Sequence, residues 1–164
     1  MERRIKIGLA FLLVGAAVVG GWSVLSTRLH TSREGFGIYL LDNNELVVSD
    51  KDIVSYNKTC HEIKLTEEGV RKIGALSFEV PVYGKPFVVK LSGREMYNGS
   101  FWSSFSSVSC SGVVIVDVLA VRDGVTDTVR IEAGYPSSEF FKGVDPRNNL
   151  EILDHFQRVG KLTH

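Results

Sequence analysis

Residues 7–27, IGLAFLLVGAAVVGGWSVLST, form the longest uninterrupted apolar stretch of the chain and contain no charged side chain. A helix rises about 1.5 Å per residue, so such a run spans about 30 Å, the hydrocarbon thickness of a bilayer. Arg3, Arg4 and Lys6 precede it, and Trp22 sits near its far end, where an amphipathic ring suits the interface.

Beyond Gly35 the pattern changes to short alternating segments. Residues 36–41 form an apolar run, the turn residues Asp42, Asn43 and Asn44 follow, and residues 45–48 resume a strand, so the spacing predicts a hairpin. Ser49 to Asp52 reads as a capped helical turn carrying Ile53. His61 to Leu65 alternates, with Ile63 and Leu65 on one face. Thr66 is placed to cap a helix with Glu67 and Glu68 in its first turn and Val70, Ile73 and Leu76 at helical spacing. Further strands are predicted over 78–83, interrupted by Pro81, and over 86–91, 94–97, 100–105, 112–120 and 128–133, with Arg122-Asp123-Gly124 as a hairpin turn. A last helix follows Asp145 and Pro146, with Leu150, Leu153 and Phe156 on one face and Gly160 as its stop. Strands outnumber helices and are not strictly interleaved with them. The class is therefore α+β: a transmembrane helix followed by one mixed or antiparallel sheet with two main helices.

Charge divides the chain into a cytoplasmic tail (1–6), the membrane span (7–27), a tether (28–35) and an extracytoplasmic domain (36–164). Basic residues flanking a span favour the cytoplasm, and long following domains translocate largely regardless of their own charge. The expected location is the cell membrane, single-pass, with the N-terminus inside. A cleaved signal peptide and a buried soluble helix are the alternatives; the run exceeds the usual signal length and lacks an Ala-x-Ala site. Within the span, Ala16 with Gly20 and Ala17 with Gly21 lie four apart, a spacing that allows close helix approach and a homodimer, although such residues are common in membrane helices anyway.

The whole chain has 19 basic and 19 acidic residues, and without Glu2, Arg3, Arg4 and Lys6 the remainder has 16 and 18. No basic stripe is present, so nucleic acid is not an expected partner. The two cysteines, Cys60 and Cys110, would in an oxidising compartment form a disulfide; two separate buried thiols are the alternative. Asn57-Lys58-Thr59 and Asn98-Gly99-Ser100 match the N-glycosylation pattern.

Three phrases occur in a telling order: Ser49-Asp50-Lys51-Asp52-Ile53, then His61-Glu62-Ile63-Lys64-Leu65-Thr66-Glu67-Glu68-Gly69, then residues 84–93, GKPFVVKLSG. Together, over residues 49–116, they resemble the head subdomain of the first extracytoplasmic region of SecD-type translocase proteins. The resemblance implies an α+β unit of ferredoxin-like character and a role near secretion. Ser92 stands where that family carries Asp, and Tyr97-Asn98-Gly99 replaces a proline-containing step. No catalytic residue can be carried over from it.

The chemistry is sparse. Cys60-His61-Glu62 is the most reactive-looking triplet, but adjacent residues on a strand point to opposite faces, so Cys60 and His61 would not pair directly. Cys60, His61, Cys110 and His155 lack metal-ligand spacing, and the serines of 103–111 contain no nucleophile elbow. No cofactor, metal or catalytic residue is predicted. The segment 97–105 is the richest recognition candidate, with Tyr97, Phe101 and Trp102 as the expected partner surface and at least one of them exposed. The leading expectation is a membrane-anchored extracytoplasmic interaction module that binds a protein or peptide. The alternatives are an extracytoplasmic hydrolase using a Cys or Ser nucleophile and a small-ligand sensor.

Overall fold

Strand β1 (Phe36–Leu40) buries Phe36, Ile38 and Leu40, every second residue, so a period of two builds the first wall of the core. The computed structural model that shows this describes residues 35–76 and 80–164. The predicted span and its Ala16, Ala17, Gly20 and Gly21 face lie outside the described residues. Among those described, no helix is long and apolar enough to cross a membrane.

The domain is α+β, with one large mixed sheet. Its strands are β1, β2 (Leu46–Ser49), β3 (Ile53–Asn57), β4 (Glu62–Leu65), β5 (Lys85–Leu91), β6 (Arg94–Phe101), β7 (Cys110–Val116), β8 (Thr128–Tyr135) and β9 (Leu162–Thr163). They lie in the order β2-β1-β5-β6-β7-β8-β4-β3-β9. The β6–β7 and β3–β9 pairs are parallel and the rest antiparallel. Three helices accompany it: α1 (Glu67–Leu76), α2 (Val118–Arg122) and α3 (Leu150–Arg158).

β2 opens the order and β3 stands near its other end, yet only the three-residue 3-10 turn Asp50–Asp52 separates them in sequence. A link that short spans at most about 14 Å, so the sheet must roll until its two ends approach. The main core fills the inside of the roll, with Phe87, Val89, Phe101, Val113, Ile115, Ile131 and Ile63 from successive strands. Helix α3 lies at the seam: Phe156 packs 4.8 Å from Phe36 of β1 and 5.1 Å from Tyr56 of β3.

The structure departs from the sequence pattern in specific places. β3 was not foreseen, because Ile53 was assigned to the preceding turn. The predicted strand over 112–120 stops at Val116. Asp117 adopts a left-handed conformation (φ 71°), and its carboxylate takes a two-pronged hydrogen bond from Arg130 of β8. Val118 and Val121 then bury themselves three residues apart, which makes α2 a third helix rather than more strand. Residues 80–84 form a turn, closed by the Gly84 N–H donating to the Pro81 carbonyl at 2.9 Å. α3 begins later than predicted. Asn149, not Asp145, caps it, accepting from the Glu151 and Ile152 amides. A ferredoxin-like βαβ unit sets one strand between the two strands that flank its helix. Here β8, β7 and β6 all separate β4 from β5.

Gly99 sits where β6 crosses the core. A Cβ there would fall 2.4 Å from the Phe87 ring and 2.7 Å from the Val113 carbonyl oxygen. Gly99→Ala is therefore expected to destabilise the domain by about 1–3 kcal/mol, the usual cost of overpacking. Urea denaturation checks this; an unchanged midpoint would refute the close packing at this position.

Candidate functional site

The predicted partner surface is rearranged by the fold. Phe101 and Trp102 face opposite sides of the sheet, as neighbours on a pleated strand must, but both sides are covered. Phe101 is fully buried in the core, its ring 5.1 Å from that of Phe87. Trp102 is buried on the outer face in a second, smaller cluster with Val114 and Val116, against which Val108, Cys110 and Tyr135 pack. Tyr97 is half-buried against the main core, and burial pushes its phenol well above the ordinary tyrosine value. None of Tyr97, Phe101 and Trp102 is exposed, which corrects the expectation that at least one would be.

The outer-face cluster exists because β6 and β7 are parallel neighbours. The chain must cross from the end of one to the start of the other, and it does so in residues 102–109 without a helix. That crossover carries the exposed aromatic that the segment does present: Phe105, 85% exposed. Beside it lies the 80–84 turn, with Tyr83 75% and Val82 56% exposed. The two loops are joined by the Ser106 hydroxyl, which donates to the Val82 carbonyl at 2.8 Å. Both stand on Trp102. A Cβ at Gly84 would fall 2.4 Å from its ring, and the Tyr135 hydroxyl ties the crossover down by donating to the Ser104 carbonyl at 2.8 Å. The result is a small apolar platform of Val82, Tyr83 and Phe105. Trp102 Nε1–H has no acceptor among the described residues.

The cysteines are free, Cys60 exposed and Cys110 half-buried, so the expected disulfide is not formed. Cys60 lies in the β3–β4 turn and Cys110 opens β7, with β8 in between. Two strand spacings already approach about 10 Å, beyond the separation of about 7 Å that a bridge tolerates. Desolvation and the neighbouring Glu62 carboxylate push the Cys60 thiol upward, opposite to the activation a nucleophile needs.

His61 is the most constrained polar residue. It has a left-handed backbone (φ 55°), its carbonyl accepts from the Ile131 amide at 2.9 Å, and its side chain is buried. Nδ1 lies 2.8 Å from the Tyr56 hydroxyl, a contact best made by a Tyr56 O–H donating to an unprotonated ring nitrogen. Burial pushes the Tyr56 phenol up to about 12. Arg147 borders the pair. It donates to the Ile131 carbonyl at 3.0 Å and pairs with Asp145 at 2.7 Å, which holds the Asp145 carboxyl below its usual range. Burial, then the Arg147 charge, lower the His61 pKa. His61 thus belongs to a structural clasp between β3, β4, β8 and residues 145–147, and neither it nor His155 meets a cysteine. His155 instead bonds Asp50 at 2.9 Å. Among the described residues no group of three or more His, Cys, Asp or Glu side chains could hold a metal ion.

The clearest groove lies between the β1–β2 hairpin and α1, lined by Leu40, Leu46, Val47, Lys72, Ala75 and Leu76; His61 does not reach it. Comparison of the chain with family models, with curated proteins and with solved structures returned no match.

Because the folded His61 titrates below the unfolded value of about 6.5, the folded state binds fewer protons below that pH. Its contribution is complete above pH 6.5 and is lost on acidification. The melting temperature should fall between pH 7 and 5, and His61→Asn, which tolerates the left-handed backbone, should flatten that fall. An identical pH profile for the variant would sink this assignment. For the cysteines, a thiol reagent should modify two thiols per native chain, Cys60 faster than Cys110. Intact mass under non-reducing conditions should show no loss of two hydrogens.

Proposed function

We propose that the chain is a single-pass, membrane-anchored interaction module whose domain lies outside the cytoplasm and docks a partner protein through the Val82–Tyr83–Phe105 platform. The observation that carries this reading is the platform itself: two exposed aromatic rings on hydrogen-bonded loops, held up by a buried tryptophan. Rigid aromatic side chains give large contact area at small entropy cost, the property of recognition surfaces. The span-length run of residues 7–27 with Arg3, Arg4 and Lys6 before it supports the anchor and its orientation. The resemblance of residues 49–116 to SecD-type heads supports a role as an accessory to secretion or envelope assembly. A hydrolase has less in its favour, since the Cys60 thiol is held protonated and His61 is engaged by Tyr56.

The test combines topology with surface mutagenesis. Protease added to sealed cells should remove the domain, and its full protection would reverse the orientation. Phe105→Ser and Tyr83→Ser should each weaken capture of crosslinked partners while shifting stability by no more than about 0.5 kcal/mol. Trp102→Ala, by contrast, should cost about 3–5 kcal/mol, the usual penalty for truncating a buried aromatic. Unimpaired capture by both serine variants would exclude this platform as the docking surface.

A further inference from the structure

The chemistry of the platform narrows the kind of partner it fits, and this step rests on the anchored-module reading above. From Met96 to Val116 the chain has no acidic or basic side chain, and none occurs in residues 80–84. Both platform loops fall inside these uncharged stretches. A surface that selects a foreign partner normally carries charges that steer and reject. A surface that meets its own copy across a two-fold axis must instead be self-complementary, because each residue there faces a like patch. Charges near such an axis face their equals and repel. An uncharged apolar platform rimmed by serines meets the requirement without any compensating pattern.

The position of the platform fits the same symmetry. The chain enters the described domain at Gly35, beside Phe36, which pairs with Leu91 at the end of β5. Tyr83 precedes Lys85 at the other end of that seven-residue strand. The platform is therefore about 20 Å along the sheet from the chain entry, clear of the segment that leads to the anchor. Every copy anchored through residues 7–27 carries it at the same distance from its own entry point. Copies inserted in one membrane in the same sense can be related by a two-fold axis along the membrane normal, which brings like faces together. Confinement to the bilayer also raises their effective concentration, so a small patch is sufficient.

We infer that the Val82–Tyr83–Phe105 platform is a homotypic contact, pairing two copies of this chain side by side. The occupant of the platform is a second copy, through the same three residues and the serines around them.

Photocrosslinking of the full chain in its native membrane tests this. With photoreactive benzoylphenylalanine in place of Phe105, irradiation should give an adduct of twice the 18.1 kDa chain mass. The same probe at Leu150, equally exposed but on α3 at the opposite end of the sheet, should give none. With the probe moved to Tyr83, the change Phe105→Asp places two carboxylates across the axis. It should cut the dimer adduct by about tenfold or more, equivalent to about 1.4 kcal/mol, without lowering the melting temperature. An adduct with a different protein would overturn the homotypic contact and leave the interaction module standing. An adduct with lipid, or none from either platform position, would overturn both. A dimer adduct that persists at full yield in Phe105→Asp would show that copies meet elsewhere and reject this surface.

Discussion

The rolled sheet depends on the closure of one seam, and the closure is made by the turn Asp50–Asp52. Its residues bind outward in several directions at once. The Asp50 carboxylate accepts from the Phe36 amide at 3.0 Å and meets the His155 ring at 2.9 Å, while its carbonyl receives the Lys161 ammonium. The buried Asp52 carboxylate accepts from the Ser49 amide and hydroxyl and from Lys72 of α1, each at 2.8 Å. Burial works to raise the Asp52 pKa, but these donors outweigh it and hold the carboxyl below its usual range. A buried charge is tolerable only when so fully satisfied, and removing one partner of such a set is far costlier than losing a surface pair. Through this turn β1, β3, α1, α3 and the chain's end become one unit.

The roll also settles what each aromatic residue does. Once the inner face is a closed core, Phe101 has no surface to offer. The outer face is left to a helix, a loop or water, and around β7 the crossover of residues 102–109 covers it. Trp102 lies beneath that crossover and the 80–84 turn, and so supports the loops rather than contacting a partner. Phe105, three residues later, inherits the exposed role. A buried support with exposed rings above it separates stability from recognition within four residues of chain.

The polar residues are likewise absorbed by architecture. His61, Tyr56, Arg147 and Asp145 satisfy one another where β3, β4 and β8 meet the strand-to-helix connection. Arg147 fixes that connection through the Ile131 carbonyl. The neutral form of His61 is the one the clasp accommodates, so the same contacts that hold residues 145–147 in place make the domain sensitive to mild acid.

Local pattern made much of this legible from sequence: the period-two runs of β1, β5 and β8, the Thr66 cap whose hydroxyl accepts from the Gly69 amide, the Ser49–Asp52 turn, and the three-four spacing of α1. The uncharged run of residues 7–27 and the charge-free stretch of residues 96–116 are properties of sequence alone. Tertiary structure decided the rest. Whether residues 118–122 continue a strand depended on Asp117 meeting Arg130, thirteen residues away. The separation of Cys60 from Cys110 depended on β8 lying between them. The exposure of Phe105 rather than Trp102 depended on β6 and β7 being parallel, which forces a crossover over one face of the sheet. Periodicity tells which residues share a face, because it reflects the geometry of one strand. It does not tell what covers that face, because covering is done by segments distant in sequence.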